Sequence, residues 1–120
     1  MPLALRFLGH RCSEDSAIKP WYFLGPLDLE PGAEFLVPQD GVILGRAQNA
    51  GVRVASNGVA RFHVRVAPIE GGRTLRAEDM QSTNGTQKNG VRAEVHELAV
   101  GDVLTLAGVF DFEVVDLPAT

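Results

Sequence analysis

The sequence contains one cysteine, Cys12, and no long apolar run. A single thiol excludes a disulfide within the chain and suits a reducing compartment. No stretch reaches the length of a bilayer-spanning helix, and the first 16 residues lack the apolar core of a signal peptide. These absences predict a cytoplasmic protein that makes no contact with a membrane.

The chain also lacks a basic excess, since its formal net charge is -4 and its pI is about 5.3. A protein that binds nucleic acid normally carries a positive surface, so nucleic acid is not expected as a partner. An acidic total still allows a small anion site, because positive charge can be concentrated on one edge of the molecule.

Motifs for metal binding and catalysis are absent as well. The three histidines are scattered, and His10 with Cys12 supplies only two of the four ligands of a tetrahedral zinc site. Ser82, His63 and Asp79 contain the groups of a hydrolase triad, but no motif marks a strained nucleophile turn. Glycine-rich phosphate and dinucleotide motifs are missing. We therefore expect no metal, no cofactor and no enzyme, with a small Ser82 hydrolase as a contrasting hypothesis.

Turn signals, by contrast, are dense, and most combine glycine with asparagine, aspartate or proline. Short segments rich in Val, Leu, Ile and Phe lie between them, and no helical period is sustained. A chain of 120 residues can bury one ordinary core. The pattern predicts one all-β domain with strands over Trp21–Leu29, Glu34–Val37, Val42–Leu44, Arg61–Ala67, Thr74–Ala77, Val103–Leu106 and Phe110–Val115.

Alternation predicts the faces of the strand at 61–67, with Phe62, Val64 and Val66 on one side and His63 between two arginines on the other. Residues 1–20 are interpreted as an N-terminal leader of unassigned purpose, with an added edge strand as one option. The domain is expected over residues 21–117, and residues 118–120 are expected to exit into solvent or a linker.

Several polar blocks follow one another in an informative order. They are Gly45-Arg46 after an apolar strand, His63, Ser82-Thr83-Asn84-Gly85-Thr86, Asn89-Gly90 and Leu98–Asp102. In this order the chain resembles the forkhead-associated (FHA) family over about Trp21 to Leu117, and the Asn-Gly-Thr block is the most specific part. The resemblance implies a twisted β-sandwich of two sheets with the binding loops at one end. It also implies a phosphothreonine-binding adaptor in Ser/Thr kinase signalling.

The resemblance assigns roles to individual residues. Arg46 would bind the phosphate, because a planar guanidinium can donate two parallel hydrogen bonds to it. Thr83 would add a hydroxyl donor, and Asn84 would hold the main chain of a phosphothreonine-containing protein or peptide. Structural roles are expected for Gly45, His63, Gly85 and Asn89. The oligomeric state is not predicted.

Position 60 departs from the family pattern, which places a phosphate-binding serine where this chain has Ala60. A hydrogen bond to a charged group contributes about 1.5 to 3 kcal/mol, so its absence would weaken binding roughly ten- to a hundredfold. Arg61 is expected to contact the phosphopeptide, and Ser56 and Asn57 are further candidate stand-ins. The roles of Arg53, and of Lys88 where the family is usually apolar, are left open.

Ala60 also supports an alternative hypothesis. In that hypothesis the site is degenerate, and the domain binds partners or self-associates independently of phosphate through a sheet face or the leader.

Overall fold

A computed structural model describes residues 3–10, 29–56, 58–69 and 73–116. Across these ranges the chain forms strands and turns with no helix, and none of them offers a helix capable of crossing a bilayer. The strands are β1 (Leu3–His10), β2 (Glu34–Leu36), β3 (Val42–Gly45), β4 (Val52–Arg53), β5 (Val64–Pro68), β6 (Leu75–Asp79), β7 (Thr86–Lys88), β8 (Val91–Arg92), β9 (Val95–Leu98), β10 (Val103–Leu106) and β11 (Phe110–Asp116).

These strands form two sheets. The first has six strands in the order β2-β1-β11-β10-β7-β8, and the second has five in the order β4-β3-β5-β6-β9. Neighbouring strands are antiparallel except β3 and β4, which are parallel and align Gly45 with Arg53. The arrangement confirms the expected all-β sandwich of two sheets.

The core lies between the sheets and takes alternate residues from both. Phe110, Phe112 and Val114 of β11 are buried, as their alternation predicts. The ring of Phe112 packs against that of Phe7 at a centroid distance of 5.1 Å. From the other sheet, Leu75 and Ala77 of β6 are fully buried, which matches their predicted common face.

Strand β1 is an interior strand, which corrects the expectation of an edge strand in a separate leader. It pairs with β11 on one side and β2 on the other. Its alternate residues Leu3, Leu5 and Phe7 are buried in the core, so residues 3–10 belong to the sandwich. Residues 11–28 and 117–120 lie outside the described ranges, so the C-terminal exit and residues 21–28 of the strand region predicted over Trp21–Leu29 stay predictions.

The predicted strand over Arg61–Ala67 is wrong in its first part. Residues 61 and 62 form a bend and β5 begins only at Val64, so the alternation does not extend to Phe62 and His63. Phe62 is therefore 37% exposed, whereas His63 is fully buried. Strand β9, with buried His96 and Leu98, was not among the predicted strands.

Candidate functional site

Three chain segments meet next to the end of β3. Ala60 and Arg61 accept backbone hydrogen bonds at 2.9 and 3.0 Å from the two residues that follow Gly45. The β6–β7 turn joins them through Asn84, whose Nδ2 donates to Gly58 O at 2.9 Å. The fold thereby brings together the segments that carry the predicted phosphopeptide-binding residues Arg46, Arg61, Thr83 and Asn84.

Gly45 is required by the close approach of these segments. A Cβ atom at position 45 would lie 2.2 Å from the carbonyl oxygen of Arg61 and 3.0 Å from Cα of Phe62. Both neighbours are backbone atoms, which cannot rotate away as the end of a side chain can. Any larger residue would therefore separate β3 from the segment at 60–62, and it would displace Arg46 with it.

Arg46 is half-buried, and its side chain is held by the β4–β5 connection. Its Nε donates to Val59 O at 3.1 Å, next to the Gly58 carbonyl that Asn84 binds. Among the described residues, no carboxylate lies within ion-pair distance of Arg46, and neither terminal nitrogen donates to any of them. The guanidinium is thus anchored through Nε, and its two terminal nitrogens are available to an anion.

The tip of the β6–β7 turn carries Thr83 and Asn84, and both are exposed. Arg92 of β8 donates from Nη2 to the carbonyl oxygen of Thr83 at 3.3 Å. Gly85 follows with a φ of +83°, and a Cβ there would lie 2.3 Å from Nε of Arg92. The Arg92 side chain therefore covers Gly85 and holds the turn. Arg92 was not predicted as a site residue, since its only signal in the sequence is a basic side chain two positions after Asn89-Gly90.

His63 joins the β4–β5 connection to the β6–β7 turn. Its Nδ1 accepts a hydrogen bond from the Ala60 amide at 3.1 Å, so Nε2 carries the proton and donates to Gly85 O at 2.8 Å. Burial lowers the pKa of His63 and outweighs the opposing effect of the Gly85 hydrogen bond. The imidazole is thus neutral at neutral pH and bonds to backbone groups on both sides.

Asp79, the last residue of β6, holds the β6–β7 turn in place through its carboxylate. Its Oδ1 accepts hydrogen bonds from Ser82 Oγ at 2.5 Å and Thr86 Oγ1 at 2.8 Å, and its Oδ2 accepts one from Ser82 N at 2.9 Å. Burial alone would raise the pKa of Asp79, but these hydrogen bonds outweigh it and leave the pKa below its ordinary value. Ser82 Oγ also accepts a hydrogen bond from Gly85 N at 3.0 Å.

This network does not join the imidazole of His63 to the hydroxyl of Ser82. Both ring nitrogens of His63 bond to backbone atoms, and the Ser82 hydroxyl donates directly to Asp79. The three residues of the contrasting hydrolase hypothesis therefore do not form a triad. Over the described ranges, no group of three or more His, Cys, Asp or Glu side chains could hold a metal ion.

Residues 42–107 match the family model of the FHA domain. The chain belongs to the FHA domain family. A curated relative, the FHA domain-containing protein FhaA of Mycobacterium tuberculosis, is 34% identical over 80 residues, which are 67% of this chain and 15% of FhaA. This chain therefore spans only a small part of that relative.

Two solved FHA domains resemble the whole sandwich. The FhaA FHA domain, complexed with the intracellular domain of Rv3910, is 25% identical with a TM-score of 0.66, and the match covers 93% of this chain and 98% of that one. An FHA domain solved for a structural and functional analysis of phosphothreonine-dependent FHA domain interactions is 24% identical with a TM-score of 0.70. That match covers 99% of this chain and 100% of the other.

Ser56 and Arg61, two candidate replacements for the family serine, differ in their solvent exposure in this FHA domain. Ser56 is fully buried and its Oγ accepts a hydrogen bond from Gly58 N at 3.3 Å, so its expected role as a stand-in is not supported. Arg61 is exposed beside Ala60. Asn57 lies outside the described residues.

Asn89 lies in a different part of the FHA domain, where it joins two turns. Its Nδ2 donates to Asp102 Oδ1 at 3.1 Å, and its Oδ1 accepts a hydrogen bond from Val103 N at 2.9 Å. A hydrogen bond from the Ala99 amide lowers the pKa of Asp102 against the opposing effect of burial. Lys88 Nζ lies 3.7 Å from Asp102, so this lysine pairs within the domain.

Proposed function

We propose that this FHA domain binds phosphothreonine-containing proteins or peptides and acts as an adaptor in Ser/Thr kinase signalling. The observation that carries the proposal is the position of Arg46. Its Nε is anchored on Val59 O, and Asn84 of the neighbouring turn bonds to the preceding carbonyl, Gly58 O. One cation and one exposed polar turn therefore lie against the same short segment.

The chemistry of phosphothreonine matches this arrangement. Its phosphate carries about -1.5 to -2 charges and three strong acceptor oxygens. The terminal nitrogens of Arg46 would donate two parallel hydrogen bonds, and the exposed Thr83 hydroxyl would add a neutral donor. Asn84 would orient the main chain of the ligand. The hydrogen bonds of His63 and Asp79 hold both loops in place before the ligand arrives, which reduces the entropy lost on binding.

The relatives support the same class of ligand. One of the solved FHA domains belongs to a study of phosphothreonine-dependent interactions, and FhaA was solved with the intracellular domain of another protein. We extend phosphothreonine binding to this chain, together with binding rather than catalysis as its role. We also propose a cytoplasmic location, which fits an adaptor that meets kinase substrates.

Isothermal titration with a phosphothreonine peptide library and its unphosphorylated counterparts tests the proposal. We expect binding to the phosphorylated peptides only, and we expect Arg46→Ala to abolish it. Arg76→Ala is a matched control, because Arg76 is exposed on β6 and pairs with Glu78 through Nε at 3.1 Å. Equal weak binding to both peptide sets would disprove the proposal.

Ala60 favours one second candidate, a domain that docks partners without phosphate. This candidate predicts that Arg46→Ala leaves the capture of a partner intact. Loss of capture on that single substitution would exclude phosphate-independent docking.

A further inference from the structure

The proposed phosphate site lacks the serine hydroxyl that the family pattern places at position 60, and the fully buried Ser56 does not replace it. Arg53 of β4 lies beside this site. In the parallel pairing of β3 with β4, Arg53 is aligned with Gly45, the residue before Arg46. The side chain of Arg53 is exposed, and its Nε donates to the carbonyl oxygen of Arg46 at 3.3 Å.

Arg53 and Arg46 are held in the same manner. Each uses Nε to bind a backbone carbonyl, Arg46 O and Val59 O respectively, so each guanidinium is fixed at one nitrogen. For neither arginine do the terminal nitrogens donate to another described residue. The Arg53 guanidinium is thus anchored on the backbone of Arg46 itself, next to the end of β3.

The backbone brings a third arginine to the same place. At the end of β3, Gly45 O accepts a hydrogen bond at 2.7 Å from Val54 N, which follows β4. The next two residues, Arg46 and Ala47, donate from their amides to the carbonyl oxygens of Ala60 and Arg61. Arg46, Arg53 and Arg61 therefore lie on three adjacent backbone segments.

No acidic residue balances these cations within their own part of the sequence. Residues 41–69 contain four arginines and no aspartate or glutamate, although the whole chain has a net charge of -4. Over the described ranges, Arg46, Arg53 and Arg61 have no carboxylate within ion-pair distance. Positive charge concentrated on one edge of an acidic molecule attracts anions to that edge.

We propose that Arg53 is a second phosphate-binding cation, which acts with Arg46 and supplies the contact that Ala60 cannot make. The ligand is the dianionic phosphate of phosphothreonine, so this inference rests on the proposed function. Arg53 contacts the phosphate itself rather than an acidic residue that flanks it. The site then has a second guanidinium group in place of the serine hydroxyl, beside the hydroxyl of Thr83, so it selects its ligand more by charge.

The test is isothermal titration with a phosphothreonine peptide whose flanking residues are all alanine. At neutral pH, Arg53→Ala should weaken binding about two- to fivefold, the upper part of the range for an exposed ion pair. Arg53→Lys keeps the charge but not the planar fork or the Nε anchor, so it should retain part of the affinity. Arg76→Ala should bind like the wild type. Circular dichroism should show that all variants fold.

The pH dependence distinguishes a phosphate contact from a structural role. Phosphothreonine loses its second negative charge as pH falls below about 6. The ratio of the peptide affinities of wild type and Arg53→Ala should therefore become smaller as pH falls, because a second cation stabilises a bound monoanion less than a bound dianion. A structural role for Arg53 would leave the ratio of the two affinities unchanged.

Three results would overturn the inference. If wild type binds, Arg46→Ala does not and Arg53→Ala binds like wild type, the role of Arg53 fails and the proposed function stands. If Arg53→Ala weakens only peptides with acidic flanks, Arg53 contacts the flank and the phosphate role is wrong. If wild type binds no phosphothreonine peptide, the proposed function fails and the role of Arg53 fails with it.

Discussion

Nε2 of His63 donates to the carbonyl oxygen of Gly85 at 2.8 Å, across 22 positions of the chain. On the other side of the same ring, Nδ1 accepts a hydrogen bond from the Ala60 amide at 3.1 Å. One buried imidazole therefore holds the β4–β5 connection against the β6–β7 turn. These are the two segments that carry Ala60 and Asn84, so the geometry of the proposed site depends on a residue that need not touch the ligand.

Replacing His63 should therefore destabilise the whole domain. We expect His63→Ala to lower the free energy of unfolding by about 3 kcal/mol, because it opens a cavity and leaves two buried backbone groups unpaired. His63→Phe fills the cavity and isolates the hydrogen-bond part of the loss, about 1 to 3 kcal/mol. Urea denaturation followed by circular dichroism measures both.

Val91→Ala is the control for the His63 variants, because Val91 is 66% exposed. We expect it to change the free energy of unfolding by no more than about 0.5 kcal/mol. A His63→Phe variant as stable as the wild type would show that the two hydrogen bonds contribute nothing to the fold.

His63 also predicts a loss of stability in mildly acidic solution. Burial lowers its pKa in the folded protein, while in the unfolded chain it takes up a proton at its ordinary value of 6.5. The unfolded state therefore binds more protons below that pH, and the free energy of unfolding should fall until the folded-state pKa is passed. His63→Phe should remove this slope in a series of urea titrations. An unchanged slope would assign the acid sensitivity to other groups.

The lowered pKa of Asp79 predicts a second decrease in the free energy of unfolding, at lower pH. Hydrogen bonds from Ser82 and Thr86 hold its pKa below the ordinary value of 3.8 although burial opposes them. The stabilisation is complete above 3.8 and should be lost as pH falls through the folded-state pKa, because protonation weakens these hydrogen bonds. Asp79→Asn should be less stable at neutral pH and less sensitive to acid below 3.8. Equal acid sensitivity of wild type and variant would contradict this account.

Gly45 allows the close approach of β3 and the segment at 60–62. Gly45→Ala places a Cβ atom against the carbonyl oxygen of Arg61, so we expect a loss of about 2 kcal/mol or more in thermal or urea unfolding. Gly101→Ala is the matched control, since a Cβ there meets nothing within 4 Å and only its φ of +95° is strained. We expect Gly101→Ala to lower the free energy of unfolding by about 1 kcal/mol. A Gly45 variant no worse than the control would mean that the strands can separate freely.

Local patterns predicted the parts of the fold that depend on local geometry. Alternation placed Phe110, Phe112 and Val114 of β11 in the core, because side chains alternate strictly between the two faces of a strand. The same rule misplaced Phe62, because it requires an extended backbone and residues 61 and 62 form a bend. The interior position of β1 depends on its pairing with β2 and β11, which no local pattern contains.

The candidate site also has parts that local sequence motifs predict and parts that depend on the three-dimensional fold. The motif blocks located Gly45, Arg46, Thr83 and Asn84, because each is defined by its neighbours in sequence. The hydrogen bonds of Asp79 to Ser82 and Thr86 depend on how the turn folds back, and the contact of Arg92 with Thr83 depends on the pairing of β7 with β8. The burial of Ser56 could not be predicted from the sequence either, since serine in a polar loop is usually exposed.

Ala60→Ser introduces the hydroxyl that the family pattern places at position 60, and it tests whether the missing donor limits affinity. We expect binding of a phosphothreonine peptide to strengthen roughly tenfold, the lower end of the contribution of a hydrogen bond to a charged group. Ala99→Ser, which adds a hydroxyl on the exposed turn before β10, should leave the affinity unchanged. Titration calorimetry measures both, and unphosphorylated peptide controls for contacts outside the phosphate. If Ala60→Ser bound no more tightly than wild type, position 60 would not face the phosphate, and the affinity of this domain would have to be limited elsewhere in the site.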